Sequence, residues 1–297
     1  MTDAPSSIAK RRDAEEAAGH FPPLLVEAER IAQTVAAGLH GRRRAGPGET
    51  FWQHRPYSFG DAVSAIDWRQ SARAADRLYV REHEWEAAAA VYLWRDPSKS
   101  LAFTSLKSLP EKGRRADILA IALSILLSQA GERVGILGEE RRPFHGRNTP
   151  ARVLEALQNH SDDSSSPPAA HVPSGAHAVL ISDFYTDVSA IENAARTLSG
   201  AGARGALVQV CDPAEEDFPY GGRVEFVDLE SPQRLTFGDV KAVGDDYKDA
   251  FLAHRNALAA LAQSVGWTFI SHRTDQPAHL ALLALFTAIG DMRRWMS

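Results

Sequence analysis

Short apolar runs alternating with longer stretches of helical period, from residue 88 to near the C-terminus, constrain this chain more than any other feature. The apolar runs are Ala88 to Trp94, Val134 to Leu137, His177 to Ser182, Gly205 to Val210 and Trp267 to Ser271. Between them, apolar residues recur at helical spacing over Arg115 to Ala130, Pro150 to Gln158, Val188 to Leu198, Asp246 to Val265 and Gln276 to Met292. Strands joined through helices run parallel, because a parallel connection needs a crossover of a dozen residues or more. The pattern predicts an α/β fold: a mostly parallel central sheet flanked by helices. Val224 to Leu229 and Arg234 to Phe237 read as a hairpin turning at Glu230 to Gln233. Arg141 to Phe144 reads as a further short strand, and Ser161 to Gly175, rich in Ser and Pro, as a flexible surface link.

Two of the apolar runs lead straight into an aspartate, and ligands in open α/β sheets gather at the carboxyl ends of the strands. VYLWRDPSKS places Asp96, Ser98 and Ser100 in the turn after the first run, and HAVLIS ends at Asp183. Thr149, just before Pro150 at the start of a helix, can reach the same rim. Oxygen donors without sulfur or imidazole suit a hard divalent cation, Mg²⁺ first, with Mn²⁺ or Ca²⁺ not distinguished. Each residue also has a plainer reading. Asp96 can cap a Ser/Pro turn and Thr149 can be an N-cap, whereas Asp183 can cap the helix that follows it, a role that Asp187 fills better.

Ahead of the alternation, residues 1–22 are charged and unpatterned and are expected to form a disordered arm. Leu24 to Leu39 has helical period and stops at Gly41, followed by the basic turn GRRRAGPGE with Arg42, Arg43 and Arg44, for which a solvated or intramolecular role is favoured. Phe51 to Glu86 is aromatic and charged, with one strand candidate at Leu78 to Glu86. The expected domains are the arm, residues 23–87 as a helix plus a β-rich extension packed on the core, and residues 88–297 as the α/β domain. With 33 Lys and Arg against 38 Asp and Glu, the formal charge of −5 gives no global field for nucleic acid. Cys211, the single cysteine, precludes an internal disulfide framework and reads as a buried thiol in a reducing compartment. The N-terminus lacks a signal-peptide core, and the apolar helical stretches are too short to cross a bilayer, so a cytoplasmic location without membrane insertion is expected.

Most enzyme classes lack their residues. Lys99-Ser100 ends like a phosphate loop but has no preceding glycine to bring backbone amides to a phosphate. The histidines contain no HExxH pair, one Cys cannot build a zinc quartet, and no Gly-x-Ser-x-Gly elbow occurs. A metal-dependent phosphohydrolase using Asp96 stays open, although Ser98 stands where a nearby general acid would be wanted.

The order Asp96, Ser98, Ser100, Thr149, Asp183 resembles the metal-ion-dependent adhesion site of von Willebrand factor A domains, with Leu101 a minor departure. That resemblance implies Rossmann-type layering and a metal completed by an acidic side chain of a protein partner. A second resemblance covers most of the chain. The segment from Gly48 to Glu86 carries Arg55, Tyr57, Gly60, Asp61, Ile66, Asp67, Trp68, Arg69, Ser71, Ala72 and Arg73 in the register of the bacterial domain of unknown function 58 family. The later DPAEEDFP, Asp212 to Pro219, is similar to that family too. Membership implies a von Willebrand A-like domain and association with a MoxR-type AAA+ ATPase. Read from the residues alone, Asp61, Asp67, Arg69, Arg73 and Arg81 suit an ion-pair cluster, and Trp52, Trp68 and Trp85 suit packing anchors or, if exposed, a docking face. The function these features favour is a non-catalytic, metal-dependent protein-interaction module or adaptor; the alternatives are the phosphohydrolase and a metal-independent scaffold.

Overall fold

The computed structural model describes residues 23–40, 50–58, 63, 66–73, 77–84, 90–139, 141–159, 164–227, 229 and 233–294. The expected arm at 1–22 and the arginine turn at 41–49 lie outside them. The chain divides into two compact units, residues 42–88 and residues 1–41 with 89–297. Within the first unit, β1 (Thr50–Pro56) pairs antiparallel with β2 (Tyr79–Glu84), and a one-turn helix α2 (Trp68–Ser71) lies between them in sequence.

The second unit begins with α1 (Pro23–His40), whose Leu25, Ala28, Ala32 and Val35 enter the main core. The helix expected to travel with the signature segment thus belongs to the α/β unit. Five strands follow: β3 (Ala90–Arg95), β4 (Arg133–Ile136), β5 (His177–Ser182), β6 (Arg204–Cys211) and β9 (Thr268–Arg273). All four pairings are parallel, in the order β4-β3-β5-β6-β9. The apolar runs predict these strands to within about two residues, because strands covered on both faces read as continuous hydrophobic stretches. β5 is the limiting case, with every residue buried. The candidate strand at Arg141 to Phe144 reduces to a single antiparallel bridge between Phe144 and Val134.

Helices cover both faces. On one lie α1, α3 (Lys112–Gln129), α4 (Thr149–Gln158) and α8 (Ala278–Arg294), sharing a core with Val91, Leu93, Val179 and Ile181. α3 is buried all round from Ile118 to Leu127, as expected of a helix held between a sheet and other helices. On the other face lie α5 (Val188–Gly200) and α7 (Gly244–Ser264), whose Ile191, Leu198, Leu258 and Leu261 pack with Leu180, Leu207 and Trp267. Trp267 lies so close to β6 that a Cβ on Gly205 would come 2.5 Å from the Ala178 carbonyl and 2.8 Å from the indole, so only glycine fits there. Part of the predicted surface link is built into this second face, where Val172 shares a buried cluster with Trp94 and Leu137 and Ala170 packs against it. The remaining elements are the short helix α6 (Pro213–Asp217) and the hairpin β7 (Val224–Val227) with β8 (Arg234–Phe237). Among the described residues no helix is long and apolar enough to cross a membrane.

Candidate functional site

In chain order the sheet runs second, first, third, fourth, fifth strand, so the winding reverses between β3 and β5. A crevice opens at the carboxyl ends of the strands at such a reversal, and ligands bind there. Asp96 and Asp183 follow those two strands. Arg95 pairs with Ile181, and the Asp96 amide donates to the Ile181 carbonyl at 2.9 Å, so the two aspartates share one rim.

Their surroundings differ. The Asp96 carboxylate accepts the Ser98 amide at 2.8 Å through Oδ1 and the Ser182 hydroxyl at 2.5 Å through Oδ2. Beside it the hydroxyls of Ser98 and Ser100 lie 3.0 Å apart. Burial raises the Asp96 carboxyl above the ordinary range; the bonds from Ser182 and Ser98 oppose the rise, and the nearby Asp183 adds to it. Asp183 instead meets a cation: Lys112 Nζ, in the first turn of α3, donates to its Oδ2 at 2.8 Å and to Glu215 Oε1 at 2.5 Å. Lys112 is 1% exposed. The rings of Tyr185 and Phe103 lie 4.9 Å and 5.6 Å from its ammonium. Burial pushes that ammonium toward neutrality, but the carboxylates of Asp183 and Glu215 outweigh it and hold Lys112 above the usual lysine range.

Glu215 reaches Lys112 through a capping box. Pro213 opens α6, the Asp212 side chain accepts the Ala214 amide, and Glu215 Oε2 accepts the Asp212 amide at 2.8 Å, leaving Oε1 for the lysine. Asp212 also takes the Ser105 amide at 2.9 Å, which fixes the loop before α3 to the same rim. Neither Lys112 nor Glu215 stood out as a site residue in the sequence. The Asp-Pro-Ala-Glu spacing of a capping box was the available signal for Glu215. Asp187, not Asp183, caps α5, accepting the Ser189 amide.

Thr149 requires a correction. It occupies the first turn of α4, behind Asn148 as N-cap, and its amide donates to Gly146 O. Gly146 O also accepts the hydroxyl of Ser128, in the last turn of α3. Lys112 is in the first turn of that helix, so Thr149 sits about 24 Å of helix length from the rim. The chain turns back after β4, and the bridge from Phe144 to Val134 returns it to the N-terminal ends of the strands before α4 begins. Among the described residues the buried Thr149 hydroxyl has no hydrogen-bond partner.

The rim can be tested against the shared divalent cation on its own geometry. The hydroxyls of Ser98 and Ser100 are hydrogen-bonded to each other at 3.0 Å, a separation that adjacent ligands in an octahedron of about 2.1 Å radius would also have. The rest does not match. Asp183 is neutralised by Lys112, Thr149 is at the opposite edge, and Asp96, Ser98 and Asp183 are at most 4% exposed. Among the described residues no three His, Cys, Asp or Glu side chains are placed to hold a metal. As a five-ligand set the predicted residues do not fit one partner-completed ion.

In the signature unit, Asp67 is the N-cap of α2, accepting the Arg69 and Gln70 amides, and its other oxygen lies 3.0 Å from His54 Nε2. Ser71 ties the unit together, donating to Asp67 O and accepting the Tyr79 amide, and the Tyr57 amide donates to Leu78 O. Arg69 and Arg73 are exposed. Trp68 is 61% exposed. Gly60 and Asp61, and the side chains of Trp52, Arg55, Arg81 and Trp85, lie outside the described residues.

Residues 53–257, more than two thirds of the chain, match the family described as Protein of unknown function DUF58. An uncharacterized protein of Mycobacterium tuberculosis is 28% identical over 270 residues, spanning 83% of this chain and 82% of that protein, and one of Mycobacterium bovis aligns equally. Among solved structures, the conserved hypothetical protein BatB from Bacteroides thetaiotaomicron aligns with a TM-score of 0.42 at 11% identity. An aerotolerance-related membrane protein from Bacteroides fragilis aligns with a TM-score of 0.40 at 13% identity. Each alignment covers 69% of this chain and 100% of the other, likenesses too weak to argue from.

Proposed function

The chain belongs to the DUF58 family of proteins of unknown function, and from that membership we propose that it is a non-catalytic protein-interaction module or adaptor, cytoplasmic, working with a MoxR-type AAA+ ATPase and independent of a bridging metal. The observation that carries this reading is the closed state of the switch-point crevice. Enzymes of this architecture keep reactive groups open to substrate there. Here Lys112 is spent on Asp183 and Glu215, and Asp96 is 0% exposed. A phosphohydrolase built on Asp96 would have to expose that carboxylate first.

A second reading keeps the von Willebrand A-like site in reduced form, with Mg²⁺ held by Asp96, Ser98 and Ser100 and without Thr149. It is favoured by the octahedral spacing of the two hydroxyls and by the absence of a cationic partner for Asp96 among the described residues.

One experiment separates them: the full chain as bait in its native cell extract, with and without EDTA, beside Asp96→Ala. Retention of a MoxR-type ATPase in EDTA and by the variant supports the metal-independent adaptor. Loss in both supports the reduced metal site. Failure to retain that ATPase under any condition removes the adaptor reading.

A further inference from the structure

Beside the closed rim, an open groove of about 990 Å³ runs between the start of α1, the loop after β3 and the first turn of α3. Arg95, Lys99, Lys107, Arg114 and Arg115 line it, against Glu27, Glu111 and Asp117. Two of these cations are used internally, Arg95 on Asp117 at 2.7 Å and Arg114 on Glu27 at 2.6 Å. Lys99 and Lys107 are exposed and have no acidic partner among the described residues. Arg115 donates through one terminal nitrogen to Thr274 O at 2.9 Å, while its buried Nε has no acceptor among the described residues. Behind it the buried His272 Nε2 and Thr274 Oγ1 are likewise without partners. The groove also contains the N-terminal turn of α3, which has no acidic residue and no side-chain cap from Glu111. That end of a helix favours negative charge. Lys99 and Lys107 are thus uncompensated, and Arg115, although the charges of Glu27 and Asp275 act on it, keeps an Nε–H without an acceptor among the described residues, in a protein whose formal charge is −5.

We propose that this groove receives a carboxylate-bearing segment of the protein partner, bound by Lys99, Lys107 and Arg115 without a metal. The proposal rests on the adaptor reading and gives the partner a chemistry. Leu24, Leu109 and Pro110 line the same groove and supply apolar contact for the segment's other side chains, which a bare phosphate would not use.

The test is fluorescence anisotropy of a labelled oligoglutamate peptide with the full chain, against an oligoglutamine peptide of the same length. Binding of the acidic peptide alone is expected, weakening as salt rises. The double variant Lys99→Glu, Lys107→Glu is expected to weaken it by about tenfold or more. Lys248→Glu, an exposed site on α7, should leave it nearly unchanged. No binding by the unaltered chain, equal loss in Lys248→Glu, or tighter binding to phosphatidylserine vesicles or single-stranded RNA than to the peptide overturns the proposal. Capture of the ATPase by the double variant, followed separately, distinguishes a wrong groove from a wrong adaptor: capture with no peptide binding condemns only the groove.

Discussion

Asp96 and Asp183 end neighbouring strands, one register apart on the same rim and both shut off from water, yet one holds an ammonium and the other does not. Asp183 is paired by Lys112 from the helix that follows β3, and that lysine is shared with Glu215 from the short helix α6 after β6. Among the described residues Asp96 meets the Ser98 amide and neighbouring serine hydroxyls, and no cation. A strand end fixes where a carboxylate emerges. What neutralises it comes from elsewhere in the fold, and that decides whether it is a structural post or a group still wanting a cation.

The comparison predicts very unequal costs. Lys112→Met leaves the buried Asp183 and the half-buried Glu215 without their cation, and removing one partner from a buried ion pair typically costs about 3–5 kcal/mol. Urea unfolding of this variant should show such a loss with an unchanged slope. A loss below about 1 kcal/mol would mean that the Asp183 side of the rim is no more dependent on its cation than the Asp96 side.

The two sides also differ in how readily they could be read from the chain. Asp96 and Asp183 were legible, because apolar runs mark buried parallel strands and strand ends mark the rim. Ser98 and Ser100 followed from sequence adjacency. Lys112 was hidden for a physical reason: α3 starts one turn before its apolar period, with Lys-Gly-Arg-Arg, and a lysine there looks like any solvated residue at a helix end. Only the tertiary approach of Glu215 and Asp183 makes it a core residue. Thr149 failed in the opposite way. Its place depended on which direction the chain runs after β4; the short strand read at Arg141 to Phe144 carried no sign of its direction, and the antiparallel bridge at Phe144 sends the chain to the far edge.

Further along the same rim, β9 carries a third kind of buried group. His272 is 2% exposed, and burial, aided by the charge of Arg115, lowers its pKa from 6.5 to about 4. It is neutral in the fold but protonates near 6.5 when unfolded, so its stabilisation is complete above about pH 6.5 and is lost as pH falls toward 4. The loss amounts to roughly 3 kcal/mol. Asp96, with a raised pKa, slopes the other way. Unfolding midpoints from pH 7 to pH 4 should therefore fall more in the unaltered chain than in His272→Asn. Parallel slopes would show that His272 does not stay neutral inside.

Asp96→Asn keeps an acceptor for Ser98 or Ser182 and removes a carboxylate with no cation, so a change of about 1 kcal/mol or less is expected. A loss near that of Lys112→Met would show that a cation does compensate Asp96 in solution, and would move the balance toward the reduced metal site.

Thr149→Val should have the smallest effect and the opposite sign. The Thr149 hydroxyl is buried without a partner among the described residues, and an isosteric methyl removes an unsatisfied polar atom while keeping shape. A gain of up to about 1 kcal/mol is expected, with no change in whatever response to Mg²⁺ the protein has. If Thr149→Val instead altered a Mg²⁺ response that Asp96→Asn also altered, the two ends of α3 would have to act on one ion, and the separation of Thr149 from the rim would be wrong.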